Sequence, residues 1–174
     1  MRLLIIILTF ITFGQARSQH PDTYVKTIEK LKSKGKLTTK SSTEKTFVGS
    51  VTGYYDNDSL VLISSLTDAE AAGTETLYFI KEGVLKKVFI IAATFDSNVE
   101  WKEYYSKHKS IDKCYTCHGK SNCIVTEITL GDKQTIVVIE SKKKRELTLD
   151  EKDKMLADVR RTSDELQVHL KELE

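Results

Sequence analysis

Short apolar and β-branched runs separated by turn residues fill the middle of this chain, and apolar positions at a three- and four-residue period take over at its C-terminal end. Residues 47–55 hold Phe47, Val48, Val51, Tyr54 and Tyr55, a β-branched and aromatic run. Asp56-Asn57-Asp58-Ser59 is turn chemistry, and the apolar run 60–63 follows, so the pair reads as a hairpin. A loop over residues 67–73 leads to a strand over 76–80. Glu82-Gly83 then turns the chain into the apolar run 85–95, interrupted only by Lys86 and Lys87. A third hairpin pairs 124–130 with 134–140 about a turn at Gly131-Asp132. Consecutive strands usually lie side by side, so chain order predicts an antiparallel meander of about six strands. The runs 85–95 and 136–139 are apolar on both faces and belong where both faces are covered.

Two helices flank this sheet. Asp22 caps a short one that carries Val25, Ile28 and Leu31 on one face, and Gly35 is its stop. The Ser-, Thr- and Lys-rich stretch 38–43 follows as polar chain. Near the other end, Thr148-Leu149-Asp150-Glu151 matches a capping box. Met155, Val159, Leu166, Leu170 and Leu173 then form a stripe that packs a longer helix on the sheet. The expected class is therefore α+β, with one domain over residues 17–174.

The N-terminus has its own grammar. Met1-Arg2 precedes an apolar run over residues 3–13, and Gly14-Gln15-Ala16 places small residues at the positions of a cut after Ala16. This is the pattern of a secretory signal peptide, residues 1–16, and too short for an ordinary membrane span. The expected location is secreted or periplasmic, with no integral membrane segment after cleavage. The cut removes a single charged side chain, Arg2, from 27 basic and 25 acidic residues, so the balance argues against a nucleic-acid partner. The local run Lys142-Lys143-Lys144-Arg145 reads as a solvated loop.

Between the second and third hairpins lies the segment richest in chemistry. Trp101, Tyr104 and Tyr105 open it, and His108 to Asn122 is polar and loop-like. Cys114-Tyr115-Thr116-Cys117-His118-Gly119 has the C-x-x-C-H spacing of haem attachment. The hexapeptide resembles the attachment motif of c-type cytochromes. That resemblance implies haem c held by thioethers to Cys114 and Cys117, with His118 as the proximal iron ligand. His108 or Met155 would then be the distal ligand, or the sixth position stays open. The same residues fit two other chemistries. In an oxidising compartment Cys123 pairs with Cys117 or Cys114, and closing so short a loop is worth about 2–3 kcal/mol. Alternatively His108, Cys114, Cys117, His118 and Cys123 supply nitrogen and sulfur donors for zinc.

No Gly-rich phosphate loop, G-x-S-x-G elbow or H-E-x-x-H helix is present in the sequence. His20 and His169 read as surface residues, and the Tyr54-Tyr55 pair as half-buried sheet aromatics. The Gly53-Tyr54-Tyr55-Asp56 turn and the Leu77-Tyr78-Phe79 strand are similar to those of small exported bacterial α+β proteins of unassigned activity. The expected function is a non-enzymatic binding or accessory module that needs no cofactor. The alternative is a monohaem c-type protein for electron transfer or small-gas binding.

Overall fold

The computed structural model describes residues 21–42, 49–69, 72–95, 121–131, 134–140 and 143–173. Helix α1 (Pro21–Ser33) precedes eight strands: β1 (Thr38–Ser42), β2 (Ser50–Asp56), β3 (Ser59–Ala69), β4 (Ala72–Lys81), β5 (Val84–Phe95), β6 (Ser121–Thr129), β7 (Thr135–Glu140) and β8 (Lys143–Arg145). Helix α2 (Leu149–Glu172) follows. The strands form one antiparallel sheet in strict chain order. The meander and the α+β class are thus present, with eight strands rather than six.

The two additional strands are the polar ones. Thr38–Ser42 pairs with β2, and Lys143–Arg145 pairs with β7, although the first reads as polar chain and the second as a solvated loop from the sequence. They are the outermost strands of the sheet. An edge strand needs only one row of backbone partners, and Lys, Ser and Thr there discourage further pairing. The segment 67–73 also differs from the loop expected of it, because β3 and β4 stay in register out to Ala69 and Ala72. Ser121 and Asn122 likewise belong to β6 rather than to the preceding loop.

Each helix covers one face of the sheet. Tyr24, Val25 and Ile28 of α1 pack on Leu62, Leu77, Phe79, Phe89, Ile91 and Val125. The Phe79 and Phe89 rings meet edge to face, 5.9 Å between centroids. On the opposite face, Val159, Leu166 and Leu170 of α2 pack on Val51, Ile63, Tyr78, Ile80, Val88, Ile128 and Leu130, with Met155 beside them. Strands β4 and β5 are therefore apolar on both faces because both faces are covered.

Local chemistry sets the ends of these elements. The β2–β3 turn holds Asn57 and Asp58 at positive φ, and the β4–β5 turn holds Glu82 and Gly83 there, the requirement of the tightest two-residue hairpins. Beyond α1, Gly35 and Lys36 donate their amides to Lys32 and Leu31 carbonyls, closing the helix. Asp22 lies in the first turn rather than capping the helix, and its carboxylate is used elsewhere. At α2 the capping box forms as expected: Glu151 N–H donates to Thr148 Oγ1 at 3.2 Å, and Thr148 N–H donates to Glu151 Oε2 at 2.8 Å. That backbone donor holds the Glu151 carboxyl below the usual carboxylate range, with Arg145 adding a smaller pull. Ser163 completes the buried stripe of α2, whereas Leu173 lies past the helix end and is exposed.

Two glycines mark close approaches. A Cβ on Gly53 would stand 2.9 Å from Leu170 Cδ1, so the bare backbone of β2 lets α2 seat on the sheet. At Gly49, where φ is +135°, a Cβ would fall 1.7 Å from the Leu66 carbonyl oxygen.

Candidate functional site

An antiparallel meander separates its connections between two ends. The links β2–β3 and β4–β5, both two-residue turns, sit at one end together with the link β6–β7. The links β1–β2, β3–β4, β5–β6 and β7–β8 sit at the other. Residues 96–120, the β5–β6 link, belong to this second end. Phe95 and Ser121 are partners across the β5–β6 ladder, so the chain leaves one strand and returns to the adjacent rung of the next.

Cys114, Cys117, His118 and His108 lie outside the described residues. So do residues 1–20, including the expected signal peptide and His20. Cys123 falls in β6, where its backbone pairs with Ala93. Met155 is half-buried on α2 within the apolar cluster of that face. Among the described residues, no group of three or more His, Cys, Asp or Glu is placed to hold a metal ion. No described helix is long and apolar enough to cross a membrane. The Tyr54-Tyr55 pair is half-buried, as expected, while His169 is half-buried rather than a surface residue.

The structure also buries polar groups that the sequence reading passed over. On the α1 face, Ser64 of β3 donates its hydroxyl to Glu75 Oε1 of β4 at 2.9 Å, and both residues are buried. A hydrogen-bonded pair of this kind ties neighbouring strands across a mostly apolar face. Strand parity was the available signal: Ser64 alternates with Leu62, and Glu75 with Leu77.

Lys87 is the second such group. It is 3% exposed and sits under α1, where its ammonium ion-pairs with Asp22 of α1 and Glu127 of β6. The Phe89 ring lies 5.2 Å from its nitrogen. Burial pulls the Lys87 ammonium toward a lower pKa. The hydrogen bonds and charges of Asp22 and Glu127 outweigh it and leave the group above its ordinary value. A lysine in that state is a fixed cation at neutral pH. It clamps α1 to the sheet, and it is not a poised amine nucleophile.

Two tyrosines are comparably constrained. Tyr24 donates its hydroxyl to the Ile80 carbonyl; burial first, then the negative charges of Asp56 and Glu82, push its pKa up to about 12. Burial also pushes Tyr78 up to about 12, against a smaller lowering by a Thr76 hydrogen bond.

Comparison with protein-family models, with curated proteins and with solved structures finds no match. The functional reading therefore rests on the molecule itself.

Proposed function

We propose that this chain is an exported, non-enzymatic binding or accessory module whose recognition element is the segment 96–120. The observation that supports the reading most directly is the pairing of Phe95 with Ser121. A doubly covered sheet holds both ends of a long connection, and the residues with chemical range (Trp101, Tyr104, Tyr105, His108, Cys114, Cys117 and His118) are gathered in that connection. Binding loops on rigid scaffolds have this arrangement. The signal-peptide pattern of residues 1–16 supports export to a secreted or periplasmic location, where cysteines form bridges. In this reading Cys117 and Cys123 are the favoured disulfide partners and no cofactor is required.

A second reading is favoured by one specific observation, the C-x-x-C-H hexapeptide itself. If the segment carries haem c, Cys114 and Cys117 hold it covalently and His118 ligates the iron. One experiment separates the two. The chain is expressed with its leader in a host that attaches haem, and the visible spectrum and intact mass are recorded. A colourless protein two mass units below the fully reduced chain supports the binding module with a single disulfide. A Soret band that survives acid–acetone extraction, with the added haem mass, puts the monohaem reading in its place. N-terminal sequencing of the exported protein, expected to start at Arg17, tests the cut after Ala16.

A further inference from the structure

Positive charge is unevenly spread over this molecule. Residues 26–40 contain six lysines and a single acid, Glu29, in a chain whose totals are 27 basic and 25 acidic residues. The rest of the molecule is therefore acidic on balance. Lys26, Lys30, Lys34 and Lys36 are all exposed. Among the described residues, no acid pairs with any of these four. Elsewhere the basic side chains that make ion pairs, Lys87, Lys144, Arg145 and Arg161, each reach a carboxylate.

The placement follows from the helix. Val25 and Ile28 are drawn into the sheet, so Lys26 and Lys30, with Lys34 just past the helix end, share the outward side, one turn apart. The dipole at the C-terminus of α1 offsets the charge of Lys30 and Lys32 in its last turn. It does not reach Lys26, which repels Lys30 four residues on. Lys32 extends the basic surface beside a half-buried tyrosine of the same face, its nitrogen 4.7 Å from the Tyr54 ring centre. Lysine with tyrosine at its margin is the side-chain pairing of the lipid–water boundary.

We infer that the lysine face of α1 docks on an anionic phospholipid surface. The choice of lipid over nucleic acid rests on the proposed export of the chain; the charge argument does not. Polybasic segments bind such surfaces additively, by about fivefold per lysine. The interaction weakens as salt shortens the screening length.

The test is co-sedimentation of the purified full chain with phosphatidylcholine vesicles, alone or with phosphatidylglycerol. Binding is expected only to the anionic vesicles and is expected to fall with added salt. Replacing Lys26, Lys30, Lys34 and Lys36 by Glu should weaken it by about a hundredfold or more. Lys143→Glu with Lys144→Glu, on the far edge of the sheet, should change it little. Circular dichroism monitors folding, and Gln at the same four positions keeps the test readable if charge reversal disturbs α1. Equal binding to both vesicles, equal loss in the β8 variant, or tighter binding to an oligonucleotide than to anionic vesicles would overturn the inference. N-terminal sequencing reads the export proposal separately: an uncut, retained chain that still binds anionic vesicles sinks export alone.

Discussion

Lys87 and Asp22 stand 65 residues apart in sequence and form an ion pair that fastens α1 to β5. The two ends of the pair are unlike: the Lys87 side chain is 4% exposed and that of Asp22 54%. The buried end carries the desolvation cost, and it is met by two carboxylates, Asp22 and Glu127. This asymmetry determines which substitution does harm.

Asp22→Asn with Glu127→Gln leaves the Lys87 cation buried without a counter-charge and is expected to cost about 3 kcal/mol or more. Lys87→Met removes the charge to be compensated and leaves two carboxylates that reach water. It is expected to cost about 1 kcal/mol. Urea unfolding of the variants in a double-mutant cycle measures the difference. Equal losses would mean that the pair contributes through packing alone.

The alkaline limb of stability has a defined sign. Burial pushes Tyr24 and Tyr78 up to about 12 in the folded chain, against the ordinary phenol value of 10.0. Between those values the unfolded chain holds fewer protons, so stability falls as pH rises, by about 2 kcal/mol for each buried phenol. The raised Lys87 pKa acts in the same direction: its contribution is complete below 10.5 and is lost as pH climbs through the folded value. Tyr24→Phe and Tyr78→Phe should each flatten this fall. Phenolate absorbance should show late titration steps for Tyr24 and Tyr78, each lost in its Phe variant.

Leu166 is fully buried between α2 and the sheet. Leu166→Ala should lower stability by about 2–4 kcal/mol, read as a shift in the urea midpoint. An unchanged midpoint would show that α2 does not hold the sheet.

Gly49→Ala should be more damaging than its size suggests, because the new methyl meets the Leu66 backbone oxygen rather than a movable side chain. A loss above about 2 kcal/mol is expected. Gly83→Ala provides the comparison, since no atom lies within 4 Å of the added carbon and only its φ of +73° resists.

At the β4–β5 turn, Glu82 has φ 55°, a conformation that costs an ordinary side chain about 1 kcal/mol and asparagine less. Glu82→Asn creates the Asn-Gly dipeptide of the preferred hairpin. It should raise the melting temperature by a few degrees.

Several features were legible without coordinates because their causes are local. β-Branched and aromatic runs bounded by turn residues marked the cores of β2 through β7, and the Asn57-Asp58 and Glu82-Gly83 turns lie where the residue types placed them. The capping box at Thr148 and the stripe from Met155 to Leu170 marked α2 and its buried face. The pattern C-x-x-C-H marked a candidate site by residue chemistry alone; of the segment around it, the structure describes the bounding pair, Phe95 and Ser121, which are partners in the sheet.

Other features needed the tertiary structure. Thr38–Ser42 and Lys143–Arg145 have no apolar alternation, since an edge strand is recruited by its neighbour's backbone and not by its own side chains. The register shift between Phe79 and Ile80 pairs them with Lys87 and Leu85, leaving Lys86 as the extra residue. Leu85 consequently packs with the α2 face while Lys87 turns under α1 to meet Asp22. A single inserted rung reverses the facing of every side chain beyond it. Strict alternation along β5 would have put Leu85 and Lys87 on one face. Period and capping are properties of a few neighbouring residues, so the sequence determined them. Edge pairing, bulge position and the burial of a charge depend on what lies across the sheet, and only the assembled fold decided those.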